Sequence, residues 1–162
     1  MKYLIVSDVH SSPDAVKKII KIKYQLSCDA VINCGDLCPV TEDDIALSSS
    51  FLSVSGNCDK YYSLPYNLPL KRQFLFSGRT VTVTHGDRYV YTDFDLKSGD
   101  IFISGHTHIP LLEKTRSGII LINPGSAARP RSKEGKTVAV LSEENAEIIS
   151  FTSLATLKKI AL

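Results

Sequence analysis

The chain contains four histidines, His10, His85, His106 and His108, and each one follows a short apolar run. Tyr3–Ser7 leads into Asp8-Val9-His10, and Ala30–Asn33 into Cys34-Gly35-Asp36. Phe51–Val54 leads into Ser55-Gly56-Asn57-Cys58-Asp59, and Val81–Thr84 into His85-Gly86-Asp87. Ile101–Ser104 leads into Gly105-His106-Thr107-His108. Imidazole, carboxylate and amide groups are metal ligands. A lone histidine is ordinarily a satisfied polar residue, but chance placement of all four beside Asp8, Asp36 and Asn57 is the weaker account. The seven side chains Asp8, His10, Asp36, Asn57, His85, His106 and His108 are too many for one ion. They suit two ions sharing a carboxylate. Paired ions roughly 3.5–4 Å apart clamp the attacking and departing oxygens of an in-line displacement. Nitrogen and oxygen donors without thiolate favour Mn, Ni, Fe, Zn or Co over Mg or Ca. Among these we expect Mn.

The elements that deliver these residues follow from the pattern. Short apolar runs rich in branched residues read as buried strands. Each ends in a ligand type, beside a glycine in most cases, and ligands of open α/β sheets bind at that edge. Ser12-Pro13-Asp14 reads as a helix start, with Ser12 as N-cap, and the helix runs to about Tyr24–Ser27. Strand, helix and Ala30–Asn33 then form a parallel βαβ unit. Asp43–Leu47 reads as a short helix. Leu70–Phe76 with Arg79–Thr84, Leu111–Thr115 with Ile119–Ile122, and Thr137–Leu141 with Ala146–Phe151 read as hairpins. The expected architecture is α/β: two mixed sheets packed as a sandwich flanked by helices, one domain over residues 1–162. Leu154–Leu162 reads as a short packed helix or an oligomer contact.

The series Asp8-Val9-His10, Gly35-Asp36, Gly56-Asn57-Cys58-Asp59, His85-Gly86 and Gly105-His106-Thr107-His108 resembles the calcineurin-like metallophosphoesterases. It looks closest to their YfcE-like branch of small phosphodiesterases, as does Asn123-Pro124-Gly125-Ser126. The resemblance spans residues 2 to about 150. It implies that Asp8, His10 and His108 hold one metal, that Asn57, His85 and His106 hold the other, and that Asp36 bridges both. It implies hydrolysis of a small phosphate ester by a hydroxide bridging the two ions. Two departures stand out. Many superfamily members carry a histidine after the metal-binding Asn, where this chain has Cys58. A thiol is a poor proton donor to a departing alkoxide, so phosphodiesters or esters with good leaving groups are expected, and Cys58 is at most a weak catalytic candidate. The interval from Asp87 to Ile101 is also short, so a helix there is expected to shrink to a turn around Asp95–Gly99.

Other residues carry less. Arg88, Arg129 and Arg131 are candidate substrate contacts or ordinary surface arginines, Arg129 and Arg131 being favoured by their place after the Asn-Pro-Gly-Ser turn. Tyr61, Tyr62, Tyr89 and Tyr91 line a pocket or coat the surface. Asp59 orients the Asn57 loop or a ligand. Cys28, Cys34, Cys38 and Cys58 read as free thiols rather than a zinc knuckle or disulfide framework. The formal net charge is +2, which implies no broad nucleic-acid surface, and Lys17, Lys18, Lys21 and Lys23 read as a solvated helix face. No targeting segment or membrane span is evident, so a cytoplasmic location is expected; a homo-oligomer is left open. Two other function classes compete. One is a catalytically silent protein-binding scaffold of this fold, like the retromer subunit. The other is a two-metal hydrolase of a carbon substrate, against which the opening Asp-x-His and the lack of a lysine at any strand end both speak.

Overall fold

A computed structural model describes all 162 residues. Two mixed sheets pack face to face. The first has six strands in the order β11-β10-β9-β1-β2-β3: Lys2–Val6 (β1), Ala30–Asn33 (β2), Leu52–Ser53 (β3), Thr137–Ser142 (β9), Asn145–Ser150 (β10) and Thr156–Ala161 (β11). The second has five in the order β4-β5-β6-β8-β7: Lys71–Phe76 (β4), Arg79–Thr84 (β5), Ile101–Ile103 (β6), Pro110–Lys114 (β7) and Ile120–Pro124 (β8). The pairs β1–β2, β2–β3, β5–β6 and β6–β8 are parallel, and β1–β9, β9–β10, β10–β11, β4–β5 and β7–β8 are antiparallel.

The alternation of the strands explains the layering. Ile5, Ile32 and Cys34 point between the sheets and meet Val81, Val83, Ile101, Ile103, Ile120 and Ile122 from the other side. Leu4, Val6 and Val31 point the opposite way, onto Val16, Ile19 and Ile22 of the helix Ala15–Gln25 (α1). The six-stranded sheet is thus apolar on both faces, which is why its runs read as continuously hydrophobic. A second helix, Glu42–Ser48 (α2), adds Leu47 to that outer cluster and is capped by Thr41, whose hydroxyl accepts the Asp44 N–H at 3.0 Å.

Three expectations need correction. The N-cap of α1 is Asp14, in the left-handed region (φ 58°) with no side-chain cap, and Ser12 lies outside the helix. The preceding chain uses its turn to carry His10 (φ 46°) and Ser11 (φ 56°) back towards the sheet edge. The run Phe51–Val54 contributes only two strand residues. The C-terminal residues form the edge strand β11, paired antiparallel to β10, because the open edge of β10 supplies partners that a lone nine-residue helix lacks. Both α-helices pack on the six-stranded sheet, flanking the expected sandwich. The outer face of the five-stranded sheet carries Phe102, Ile119 and Leu121 under a loop bearing Tyr91, Phe94 and Leu96, with one 3-10 turn at Tyr91–Asp93. No helix is long and apolar enough to cross a membrane.

Candidate metal centre

All seven candidate ligands lie where the strand ends of the two sheets meet. Asp8 and His10 follow β1, Asp36 follows β2 and Asn57 follows β3; His85 follows β5, and His106 and His108 follow β6. Reaching one centre from five strands requires sharp turns. Asp8, His10, Asp36, His106 and His108 all have positive φ, between 46° and 68°, a conformation that costs a non-glycine residue energy and that clusters at functional sites. Close backbone approach also demands glycine twice. A Cβ on Gly56 would strike the Asp36 carboxylate, and one on Gly105 would stand 2.9 Å from Asp8 Oδ2 and closer still to the Ser7 hydroxyl.

Two donor groups result. In the first, His108 Nε2 stands 3.2 Å from Asp8 Oδ1 and 3.2 Å from His10 Nε2, which is itself 3.7 Å from Asp8 Oδ1. In the second, His85 Nε2 stands 3.2 Å from Asn57 Oδ1 and 3.5 Å from Asp36 Oδ2. Asp36 Oδ2 also lies 3.8 Å from His10 Nε2, so this one carboxylate faces both groups. His106 is exposed at the mouth, its ring 5.2 Å from that of His85.

The donors fit cations. The Arg129 carbonyl can only accept, so the 2.6 Å contact from His108 Nδ1 fixes the proton there. His108 Nε2 is thereby turned towards Asp8 Oδ1, a fully buried oxygen with no hydrogen-bond partner. A buried carboxylate oxygen without a partner, beside an imidazole nitrogen, is a position that a cation would satisfy. His85 is oriented in the same way: its Nδ1 donates to the Cys34 carbonyl at 2.7 Å, and its Nε2 faces Asp36 Oδ2.

Protonation follows the same geometry. Burial of His85 opposes its charge, but the Asp36 carboxylate and the nearby Asp8 outweigh burial and raise its pKa to about 9. Burial likewise opposes ionisation of Asp36, yet His85 and the Cys58 N–H, which donates to Asp36 Oδ1 at 2.8 Å, bring it down to about 2. His10 is held below the usual histidine range, chiefly by burial. Burial, then the adjacent Asp36, push the Cys58 thiol up, so it stays protonated. Cys28, Cys34 and Cys38 are buried free thiols.

Three supporting residues escaped a firm reading from the sequence. Asp59 accepts from the backbone N–H of Asp36 and Gly56 at 2.8 Å each and of Cys38 at 3.1 Å, tying the β2 and β3 loops together. Asn123 donates to the Gly105 carbonyl at 2.8 Å and to Thr107 Oγ1 at 3.1 Å, bracing the His106–His108 loop. The Ser126 hydroxyl donates to the Asp8 carbonyl at 2.7 Å and accepts from Arg129 N–H. The Asn-Pro-Gly-Ser run was the available signal, but not for what its side chains bind. Arg129 and Arg131 line the cleft of about 520 Å³ above the centre, with His10, His106, His108 and Asn57. Arg88 does not; it is exposed and pairs with Asp87 at 3.5 Å. Tyr62 donates or accepts at 3.0 Å with Ser11 Oγ, and Tyr61 is exposed.

Residues 1–146 match the calcineurin-like phosphoesterase superfamily domain. The chain belongs to this superfamily. It is 30% identical to the probable metallophosphoesterase YsnB of Bacillus subtilis, covering 90% of this chain and 86% of that one. It is 23% identical to the phosphodiesterase YfcE of Escherichia coli over 100% and 98% of the two chains. The solved structure of YfcE superposes with a TM-score of 0.87 at 21% identity over 99% of each chain. Vps29 of Entamoeba histolytica, solved with Zn2+, superposes at 0.72 and 16% identity over 99% of each chain, a likeness of fold. As a calcineurin-like phosphoesterase, the chain is a hydrolase of phosphate esters for which the family implies divalent metal ions.

Proposed function

We propose that the protein is a phosphodiesterase that works with two divalent ions, Mn2+ favoured. Asp8, His10 and His108 would hold one, Asn57, His85 and His106 the other, and Asp36 would bridge them. The observation that carries this is the position of Asp36 Oδ2, 3.5 Å from His85 Nε2 and 3.8 Å from His10 Nε2, together with the orphaned Asp8 Oδ1. The chemistry such ions supply is polarisation of a phosphoryl group and a hydroxide nucleophile near neutral pH.

The chain's own residues do the rest. His85 and His108, each fixed by a backbone carbonyl at Nδ1, keep Nε2 aimed into the centre without reorganisation. Arg129 and Arg131 present positive charge on the cleft wall to an anionic ester. Arg129 lies near enough that its charge helps keep His10 neutral. Cys58, with its raised pKa and its sulfur 3.4 Å from Asn57 Nδ2, is a weak acid for a departing alkoxide. That favours diesters and aryl esters over unactivated monoesters. The complete ligand set, seven donors facing one cleft, favours this reading over a silent scaffold of the same fold.

Turnover of bis(p-nitrophenyl) phosphate by metal-stripped protein, with Mn2+ added back, tests the proposal. We expect activity to return with metal and to fall at least 100-fold in Asp36→Asn, with metal content reduced. Full activity in an Asp36→Asn protein, or no uptake of any transition metal by the wild type, would refute it.

A further inference from the structure

The segment Arg129-Pro130-Arg131 is held to the loop of His108 from both sides. The Arg129 carbonyl accepts from His108 Nδ1 at 2.6 Å, and the His108 carbonyl accepts from the Arg131 N–H at 3.1 Å. The Arg129 N–H donates in turn to Ser126 Oγ at 2.8 Å, and that hydroxyl donates to the Asp8 carbonyl. Pro130 fixes one further backbone angle between the two arginines. Both arginines are exposed, and both line the same cleft as His10, Asp36, Asn57 and His106. Two cationic residues therefore stand on the wall of the metal cleft itself, on backbone tied to the loops that carry Asp8 and His108.

The protein supplies no counter-charge for them. The ion pairs of the chain include neither Arg129 nor Arg131, whereas Arg88 meets Asp87. Asp36 is the one carboxylate that lines the cleft, and it is the proposed bridge between the ions. With two divalent ions bound, the Asp8 and Asp36 carboxylates and a hydroxide leave a single positive charge. The one negative charge of a diester phosphoryl group cancels it. Both guanidinium groups then face the ligand with nothing left to neutralise. A guanidinium is a planar fork of donors that matches a carboxylate or a phosphate.

We propose that Arg129 and Arg131 select a phosphate ester that carries a second anionic group, a carboxylate or a further phosphate, on one of its arms. The inference rests on the phosphoesterase reading and deepens it: the ions would take the phosphoryl group to be cleaved, and the two arginines the second anion. A diester with neutral arms is then a poorer ligand than one of the same size with a charged arm.

The test titrates inert phosphonates calorimetrically into zinc-loaded protein. 3-Phosphonopropionate and 3-phosphonopropionamide share their head and length and differ in the charge of the arm. The acid is expected to bind at least about tenfold more tightly at low salt, with a gap that narrows as salt is raised. 1,2-Ethylenediphosphonate, compared with the acid, identifies the second anion as phosphate or carboxylate, and tighter binding than the amide by either one supports the proposal. In the double variant Arg129→Gln/Arg131→Gln, which keeps the backbone contacts of the segment, acid and amide should come within about twofold of each other with zinc content unchanged. The double variant Arg129→Lys/Arg131→Lys, which keeps the charge, should restore part of the gap. Equal affinities of acid and amide in the wild type would overturn the proposal. So would a gap that survives the glutamine variant, since the carboxylate would then sit on the metal. A glutamine variant that weakens acid and amide by the same factor would also overturn it, because the arginines would then serve the phosphoryl head alone. Failure of the amide to bind the wild type would instead bring down the phosphoesterase reading beneath it.

Discussion

The Asp36–His85 pair sets how the centre responds to pH. With His85 at about 9 and Asp36 at about 2, the metal-free protein carries a charged pair through neutral pH. A metal must displace the Nε2 proton of His85, so loading releases protons, and affinity should strengthen as pH rises towards 9. Stability without metal moves the other way. The raised His85 pKa stabilises the fold fully below the unfolded histidine value near 6.5, and that contribution is lost as pH climbs through about 9. The depressed Asp36 pKa stabilises above the unfolded value near 3.8, and its contribution is lost as pH falls towards about 2. Thermal melts in chelator should therefore decline between about pH 6.5 and 9, while Mn2+ titrations over the same range should show tightening binding. A chelated protein whose melting point rises across that window would contradict the charged pair.

At the level of elements, the loops that follow β2 and β3 depend on Asp59. Its carboxylate, 4% exposed, satisfies three buried N–H groups, one of them that of Asp36. Asp59→Ala strands these donors and should cost about 3 kcal/mol in urea unfolding. The loosened Asp36 loop should also lose roughly 10–100-fold in metal affinity. Asp59→Asn, which keeps one oxygen, should be milder on both measures. A role limited to its own 3-10 turn, Asp59–Tyr61, would leave metal affinity unchanged.

For the whole molecule, the two sheets are joined by their shared core and again by the centre. Asp8, His10, Asp36 and Asn57 come from the six-stranded sheet, and His85, His106 and His108 from the five-stranded one. Ions held across this seam, as proposed, would stabilise the complete fold. At a hundredfold excess over Kd a ligand adds about 2.7 kcal/mol, which for this size is about 5–10 °C in Tm. Melting with Mn2+ against EDTA should show that rise, and Asp36→Asn should abolish it. The core supplies the other link. Ile32→Ala, fully buried between the sheets, should cost about 3 kcal/mol, whereas Leu75→Ala, 78% exposed on an edge strand, should cost under about 0.5 kcal/mol.

Much of this was written along the chain. The strand ends, the seven ligand candidates and the mixed two-sheet plan follow from local patterns: apolar runs of branched residues, then glycine and a donor. Periodicity and turn chemistry are short-range properties, and the sequence carries them residue by residue. What it left open depended on neighbours distant in sequence. The C-terminal residues became a strand because β10 offered an unpaired edge. Asp59 found two of its three partners 21 and 23 residues away, Asn123 reached Gly105 18 residues away, and Ser126 reached Asp8 118 away. Tyr91 found its partner in Phe102, on a sheet face that no helix covers. Hydrogen-bond satisfaction and burial are decided by what the fold brings close, and a lone pair on Asp8 Oδ1 has no meaning until five strands have enclosed it.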